Sequence, residues 1–164
     1  MNRVAINACE VPLPLWVGAL NEYSLKVLAV LQKENWDLSI LLCNDVYIRR
    51  LNAQYRDKDE ATDVLSFNLG ETVTGEGGER RYLPGDIVIS LETLGENARY
   101  FGVREDEELR RLVIHGILHL DGMDHETNER GEPMLCLQET VLAALSGDSI
   151  LSERTTPKQK RERV

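Results

Sequence analysis

The pattern H-x-x-x-H-x-x-G-x-x-H, carried by His115, His119, Gly122 and His125, constrains this chain more than any other feature, because it holds every histidine of the 164 residues. On a helix, His115 and His119 share one face, with Cβ atoms about 6 Å apart. Two imidazoles so placed can converge on one ion at about 2.0–2.1 Å from each nitrogen. Gly122 then falls where a left-handed residue ends a helix, a conformation that glycine adopts without steric cost. The chain turns there, and the turn carries His125 back toward the first pair. Imidazole is neutral near physiological pH and suits zinc, copper, iron or nickel. Three such ligands with no cysteine beside them leave a tetrahedral ion one position open, as in catalytic zinc sites. A lone histidine would read as a hydrogen-bonded neighbour of the core; three around a glycine turn point to a metal. Asp121, Asp124 and Glu126 flank them. One of these could orient an imidazole, and Asp121 or Asp124 could serve as a fourth ligand.

The frame around this motif is one domain, expected over residues 1–150, since a chain of this size buries a core without disulfide or metal staples. Cys9, Cys43 and Cys136 are scattered, odd in number and in no C-x-x-C pair, so each is expected as a small buried hydrophobe. The apolar stretch over 13–31 is broken by Asn21, Glu22 and Lys26. No membrane span is expected, and the location is read as cytoplasmic. The formal charge of −9 argues at first against a nucleic-acid partner. Its distribution softens that: residues 151–164 hold Arg154, Lys158, Lys160, Arg161 and Arg163 against Glu153 and Glu162, a net of +3, which leaves −12 on the rest. This basic tail is expected to be a disordered, solubilising end. The pairs Arg49–Arg50, Arg80–Arg81 and Arg110–Arg111 could still form a local basic patch.

Apolar periodicity predicts strands over 3–8, 38–43, 64–68 and 87–90. Helices are predicted over 17–31, from a cap at Asn44 or Asp45 through Tyr55, from Ser90 to Tyr100 with Gly102 as its stop, from Glu105 through the first histidines, and over 129–145. Residues 70–81, rich in Gly and Glu, read as a mobile surface loop. Strands interspersed with about five helices predict an α+β fold, a small mixed β-sheet packed by helices, with the metal site at the end of a central helix. Trp16 and Trp36 read as packing residues.

The histidine spacing is also that of metzincin proteases, whose general base is a Glu directly after the first histidine. Here that position is Gly116. Losing such a base costs about 10²–10⁴-fold in rate, so peptide hydrolysis by the usual route is disfavoured. With Gly116, Leu118, Leu120, Gly122 and Asp124 in place, the segment resembles the YbeY family of bacterial metal-dependent endoribonucleases, whose signature H-G-x-L-H-L-x-G-Y-D-H differs only at Met123. Residues 51–56, 62–67 and 85–90 are similar to further blocks of that family, so the likeness spans about residues 37–145.

The resemblance implies zinc or another divalent transition metal on His115, His119 and His125. It implies single-stranded RNA as substrate, 3′-end maturation of small-subunit ribosomal RNA and ribosome quality control as roles, and the ribosome as partner. Arg56, which by itself reads as a surface arginine paired with Asp57 or Asp59, is implied as catalytic beside His115 and His119. Its fork of donors matches a phosphate. Thr62 and Asp63 read as a turn, Ser66 as a possible cleft residue, and Asp86 as a bend residue near the metal. A metallohydrolase of another class, metalloprotease-like or not, and a non-catalytic ribosome-assembly factor stabilised by metal are the competing readings.

Overall fold

Side chains that alternate along a strand give each face of a sheet its own core. In β2 (Asp37–Cys43), Leu38, Ile40 and Leu42 join one buried cluster while Leu41 and Cys43 join another. In β4 (Arg80–Ser90), Ile87 and Ile89 face the first and Val88 the second. Both faces are covered, which is why these segments read as unbroken apolar runs. The computed structural model describes residues 1–151, and the expected basic tail lies outside them apart from Leu151.

The sheet has four strands in the order β1-β2-β4-β3, with β1 (Arg3–Ala8) and β3 (Val64–Thr74) at the edges. β1, β2 and β4 run parallel and β3 antiparallel to β4. Among the described residues there are five helices: α1 (Val17–Val30), α2 (Asp45–Arg56), α3 (Leu91–Phe101) and α4 (Glu105–Leu120) pack on the sheet, and α5 (Pro133–Ala144) packs on α4. This is the expected α+β arrangement with a mixed sheet. The larger cluster joins α1, α4 and α5 to one face, whereas Ile48 of α2 packs on the other. Among the described residues no helix is long and apolar enough to cross a membrane.

Caps set several boundaries. Asn44, not Asp45, caps α2 by accepting from the Tyr47 N–H at 3.0 Å. The Asp45 carboxylate instead accepts from the hydroxyls of Ser90 and Thr93 and so ties α2 to α3. Ser90 caps α3 and Gly102 closes it in the left-handed region, as the sequence predicts. At the α4 start the acids divide their work. Asp106 is buried, pairs with Arg110 at 3.0 Å, and accepts the N–H groups of Ile150 and Leu151 at 2.7 and 2.8 Å. It anchors the C-terminal segment to the central helix.

Three expectations are corrected. Residues 70–81 are mostly strand: β3 and β4 continue past a register break between Asn68 and Glu71 and meet in a turn over 75–79. The cause is tertiary, because buried Arg81 pairs with Asp37 and Tyr82 packs against Trp36, contacts that local composition does not encode. α5 begins at Pro133 rather than near Glu129, proline being suited to a first helical position. Cys136 is exposed, with only Cys43 fully buried and Cys9 between.

α4 lies close on the sheet. A Cβ at Gly116 would stand 2.8–3.0 Å from three side-chain atoms of Ile87. Glycine costs a helix interior about 0.5–1 kcal/mol, and here it permits the approach. Gly116→Ala is therefore expected to destabilise by about 1–3 kcal/mol despite alanine's better helix propensity. Gly18→Ala, where nothing lies within 4 Å, is expected to be neutral or stabilising by up to about 1 kcal/mol. Denaturant melts of the two variants check the contrast.

Candidate metal centre

The end of α4 follows from its last six residues. Asp121 is the cap and Gly122 takes φ +90°. The Gly122 N–H reaches the His119 carbonyl, and the Met123 N–H reaches the Leu118 carbonyl, both at 3.0 Å. This pair of bonds is the Schellman closure, and it reverses the chain within three residues. His125 returns as the glycine turn requires, its ring centroid 5.2 Å from His115 and 5.5 Å from His119. The rings of His115 and His119 are 4.6 Å apart, with their Nε2 atoms separated by 3.0 Å. One ligand atom from each of the three residues lies within 4.8 Å of the others.

Each ring is held from behind. Nδ1 of His119 donates to the Met123 carbonyl at 3.1 Å, and Nδ1 of His125 to the Thr127 carbonyl at 2.9 Å. Nδ1 of His115 donates to Oε1 of Gln138 on α5 at 2.7 Å. A carbonyl oxygen only accepts, so the proton sits on Nδ1 and the Nε2 lone pairs are left for an ion. Burial pushes the pKa of His115 and His119 below the usual histidine value, opposed in part by the Gln138 and Met123 hydrogen bonds. Both are thus neutral at pH 7. The three imidazoles could hold a metal ion, and their number and chemistry fit a site with an open coordination position.

The flanking acids stay outside the cluster. Asp121 pairs with Lys33 at 2.7 Å. Asp124 is 89% exposed on its side chain and accepts the His125 N–H, so it shapes the turn. Among the described residues the metal-type cluster contains only the three histidines.

His115 and His119 open into a cleft of about 580 Å³ that Arg56, Lys58, Ser66 and Asn68 also line. Arg56 is in the last turn of α2. It pairs with neither Asp57 nor Asp59; Asp59 is taken by Arg49 at 2.8 Å. Nη2 of Arg56 donates to the Ser66 carbonyl at 2.6 Å, and its guanidinium carbon lies 5.6 Å from the Phe67 ring centre. Those contacts aim it into the cleft, and its charge is among the influences that lower the His119 pKa. Ser66 lines the cleft as expected and directs Oγ at the Gly116 carbonyl. Asp63 is structural: it accepts from the Val64 N–H at 2.8 Å and from Asn97 at 3.1 Å. Asp86 is exposed and does not line the cleft. Lys58, Asn68 and Gln138 escaped the sequence reading. For Gln138 a signal existed, since it is a polar residue on the buried stripe of α5 with Met134, Val141 and Leu142.

Comparison with known proteins bears on the whole arrangement. Residues 15–146 match the family described as endoribonuclease YbeY. Proteins of that name from Treponema denticola and Treponema pallidum are similar to this chain. The first is 53% identical over 117 residues, 71% of this chain and 76% of the relative. The second is 46% identical over 143 residues, 87% and 89%. A Thermotoga maritima protein solved in solution superposes with a TM-score of 0.58 at 28% identity, covering 96% of this chain and all of that one. The match takes in the histidine helix, its glycine turn and the Arg56 strand–helix block, and the chain belongs to the endoribonuclease YbeY family.

Proposed function

We propose that this chain is a metal-dependent endoribonuclease that cuts single-stranded RNA, with residues 1–150 acting as one domain. The carrying observation is the convergence of three imidazoles, two of which line a cleft that also holds Arg56. His115, His119 and His125 hold the ion, zinc on the likeness to the family or another divalent transition metal, since imidazole suits several of them. A bound ion supplies Lewis acidity and a nucleophile at neutral pH. Arg56 stays charged and is anchored through one N–H on Ser66. Its remaining donors bind a phosphate oxygen and offset the charge that builds up at phosphorus. Lys58 lines the same cleft, beside acidic Glu60 and Asp124. The likeness to its family supports ribosomal RNA as the physiological substrate, with 3′-end maturation of the small-subunit RNA, ribosome quality control and a cytoplasmic location.

Other metallohydrolases of this spacing use a Glu where this chain has Gly116, and a side chain there would run into Ile87. A metal held for structure alone would be served by a fourth protein ligand, and the cluster has three.

The deciding experiment measures bound metal and RNA cleavage together. His119→Ala is expected to lose both, cleavage falling at least about 100-fold. Arg56→Ala should keep its metal and lose about 10²–10³-fold in kcat/KM. Full-rate cutting by His119→Ala would overturn the proposal.

Gln138→Leu removes the acceptor behind His115 and leaves an apolar residue on an apolar stripe. Zinc affinity measured by competition with a chelating dye is expected to fall about 10–100-fold with the fold retained.

The ligand pKa shifts set the pH range. In the metal-free protein, folding holds His115 and His119 below the ordinary 6.5. Above that value both states are neutral and neither gains. As pH falls through it, the unfolded chain takes up protons that the folded chain refuses, so stability declines. Zinc occupancy and the unfolding midpoint of the metal-free protein are both expected to be flat from about pH 8 to 6.5 and to fall below that.

A further inference from the structure

The histidine cleft has a neighbour. A second cavity, about 500 Å³, lies beyond the C-terminal end of α4 and shares Asn68 and Gly122 with the first. The register break between Asn68 and Glu71, with Gly70 at φ +70°, lies at this point of the sheet edge. One wall is aromatic: the rings of Trp36 and Tyr82 have centroids 5.2 Å apart. Lys33 Nζ stands 5.4 Å from the Trp36 ring centre and 2.7 Å from an Asp121 oxygen.

We propose that this second cavity is a nucleotide subsite, in which a base of the RNA strand flanking the scissile bond stacks on Tyr82 while Lys33 contacts its phosphate. The proposal rests on the reading of the metal cleft as an RNA-cutting site and extends it to substrate length. Trp36, 7% exposed, is fixed in the core and backs the Tyr82 ring, which keeps part of its surface in the cavity. An ammonium has three donors, and Asp121 occupies one. Asp121 therefore holds Lys33 in place over Trp36 with donors left for a phosphate oxygen. The volume is within the range of small-ligand sites, about 300–1,000 Å³. Stacking on an aromatic ring tolerates any base, which suits an enzyme that grips unpaired strand. Asn68, at the junction of the two cavities, puts the subsite directly beside the metal centre.

The test is fluorescence anisotropy with the full chain and a labelled oligouridylate in excess chelator, which withholds the metal that cutting requires, alongside cleavage of the same RNA by the metal-loaded chain. Tyr82→Leu is expected to weaken binding about tenfold. Lys33→Gln is expected to reduce the slope of log Kd against log salt by about 0.7, one phosphate contact on a single strand. Tyr100→Ala, an exposed aromatic on α3 that lines neither cavity, should leave Kd unchanged. Tyr82→Leu also touches the Trp36 packing, so unfolding midpoints are compared, and Lys33→Gln carries the test if Tyr82→Leu is unfolded. Affinity and salt slope equal to wild type in both variants, equal loss in Tyr100→Ala, or no binding by wild type would each overturn the subsite. Wild type that binds with the expected variant losses but cuts no RNA would keep the subsite and overturn the nuclease reading. Cutting with unchanged Kd would do the reverse.

Discussion

Helix α4 can present two histidines to a cleft because the rest of its surface is seated in the core, and the tightest part of that seat is Gly116 against Ile87. From Leu109 to Leu120 nearly every residue other than Arg111, His115 and His119 is buried. A helix so enclosed cannot roll, so the two imidazoles that reach the cleft do so at a set angle and depth. One methyl at position 116 would push the helix from the sheet and move both rings with it. The glycine that distinguishes this motif from the protease version is thus a packing residue, filled on its open side by a β4 side chain.

The third histidine depends on a different device. The Schellman closure around Gly122 uses backbone bonds alone, and the same reversal supplies the Met123 carbonyl that orients His119. Thr127 does the same for His125, whereas His115 relies on Gln138 from a separate helix. The tautomer of all three rings is therefore set by groups contributed from the turn and from α5. Arg56 and Lys58 bring positive charge, beside acidic Glu60 and Asp124, to the cleft of a body whose formal charge is strongly negative. Local placement, rather than net charge, decides what such a surface can attract, because fields between exposed charges fade over about 8–10 Å at ordinary salt.

Much of the fold could be read from the chain. The four strands, the five helices, the Asn44 and Ser90 caps and the Gly102 and Gly122 stops follow from short-range patterns, and the structure has them. Residues 70–81 could not be read that way. Their Gly and Glu content argues for a loop, yet Arg81 meets Asp37 and Tyr82 meets Trp36 across more than forty positions, and these contacts extend the hairpin. Strand formation in such a segment answers to its partners more than to its own composition. In the site, the histidine triad was visible as spacing. The partner of His115 was visible only as a polar residue on an apolar stripe, and the aim of Arg56 depends on a carbonyl ten residues away on an edge strand.

By itself the sequence determined what rests on helical geometry and residue chemistry: three histidines at one helix end, a glycine that must turn, no thiolate beside them, and no general base after the first. Those are local matters, settled within eleven residues by the pitch of a helix and the freedom of glycine at positive φ. Tertiary structure decided how near α4 lies to the sheet, which acceptor holds each ring, where the guanidinium of Arg56 points, and that a second cavity lined by Lys33 and Tyr82 adjoins the cleft at Gly122. Each of these joins residues remote in sequence. Their geometry is set by side-chain packing between elements, and periodicity along one element carries no information about it.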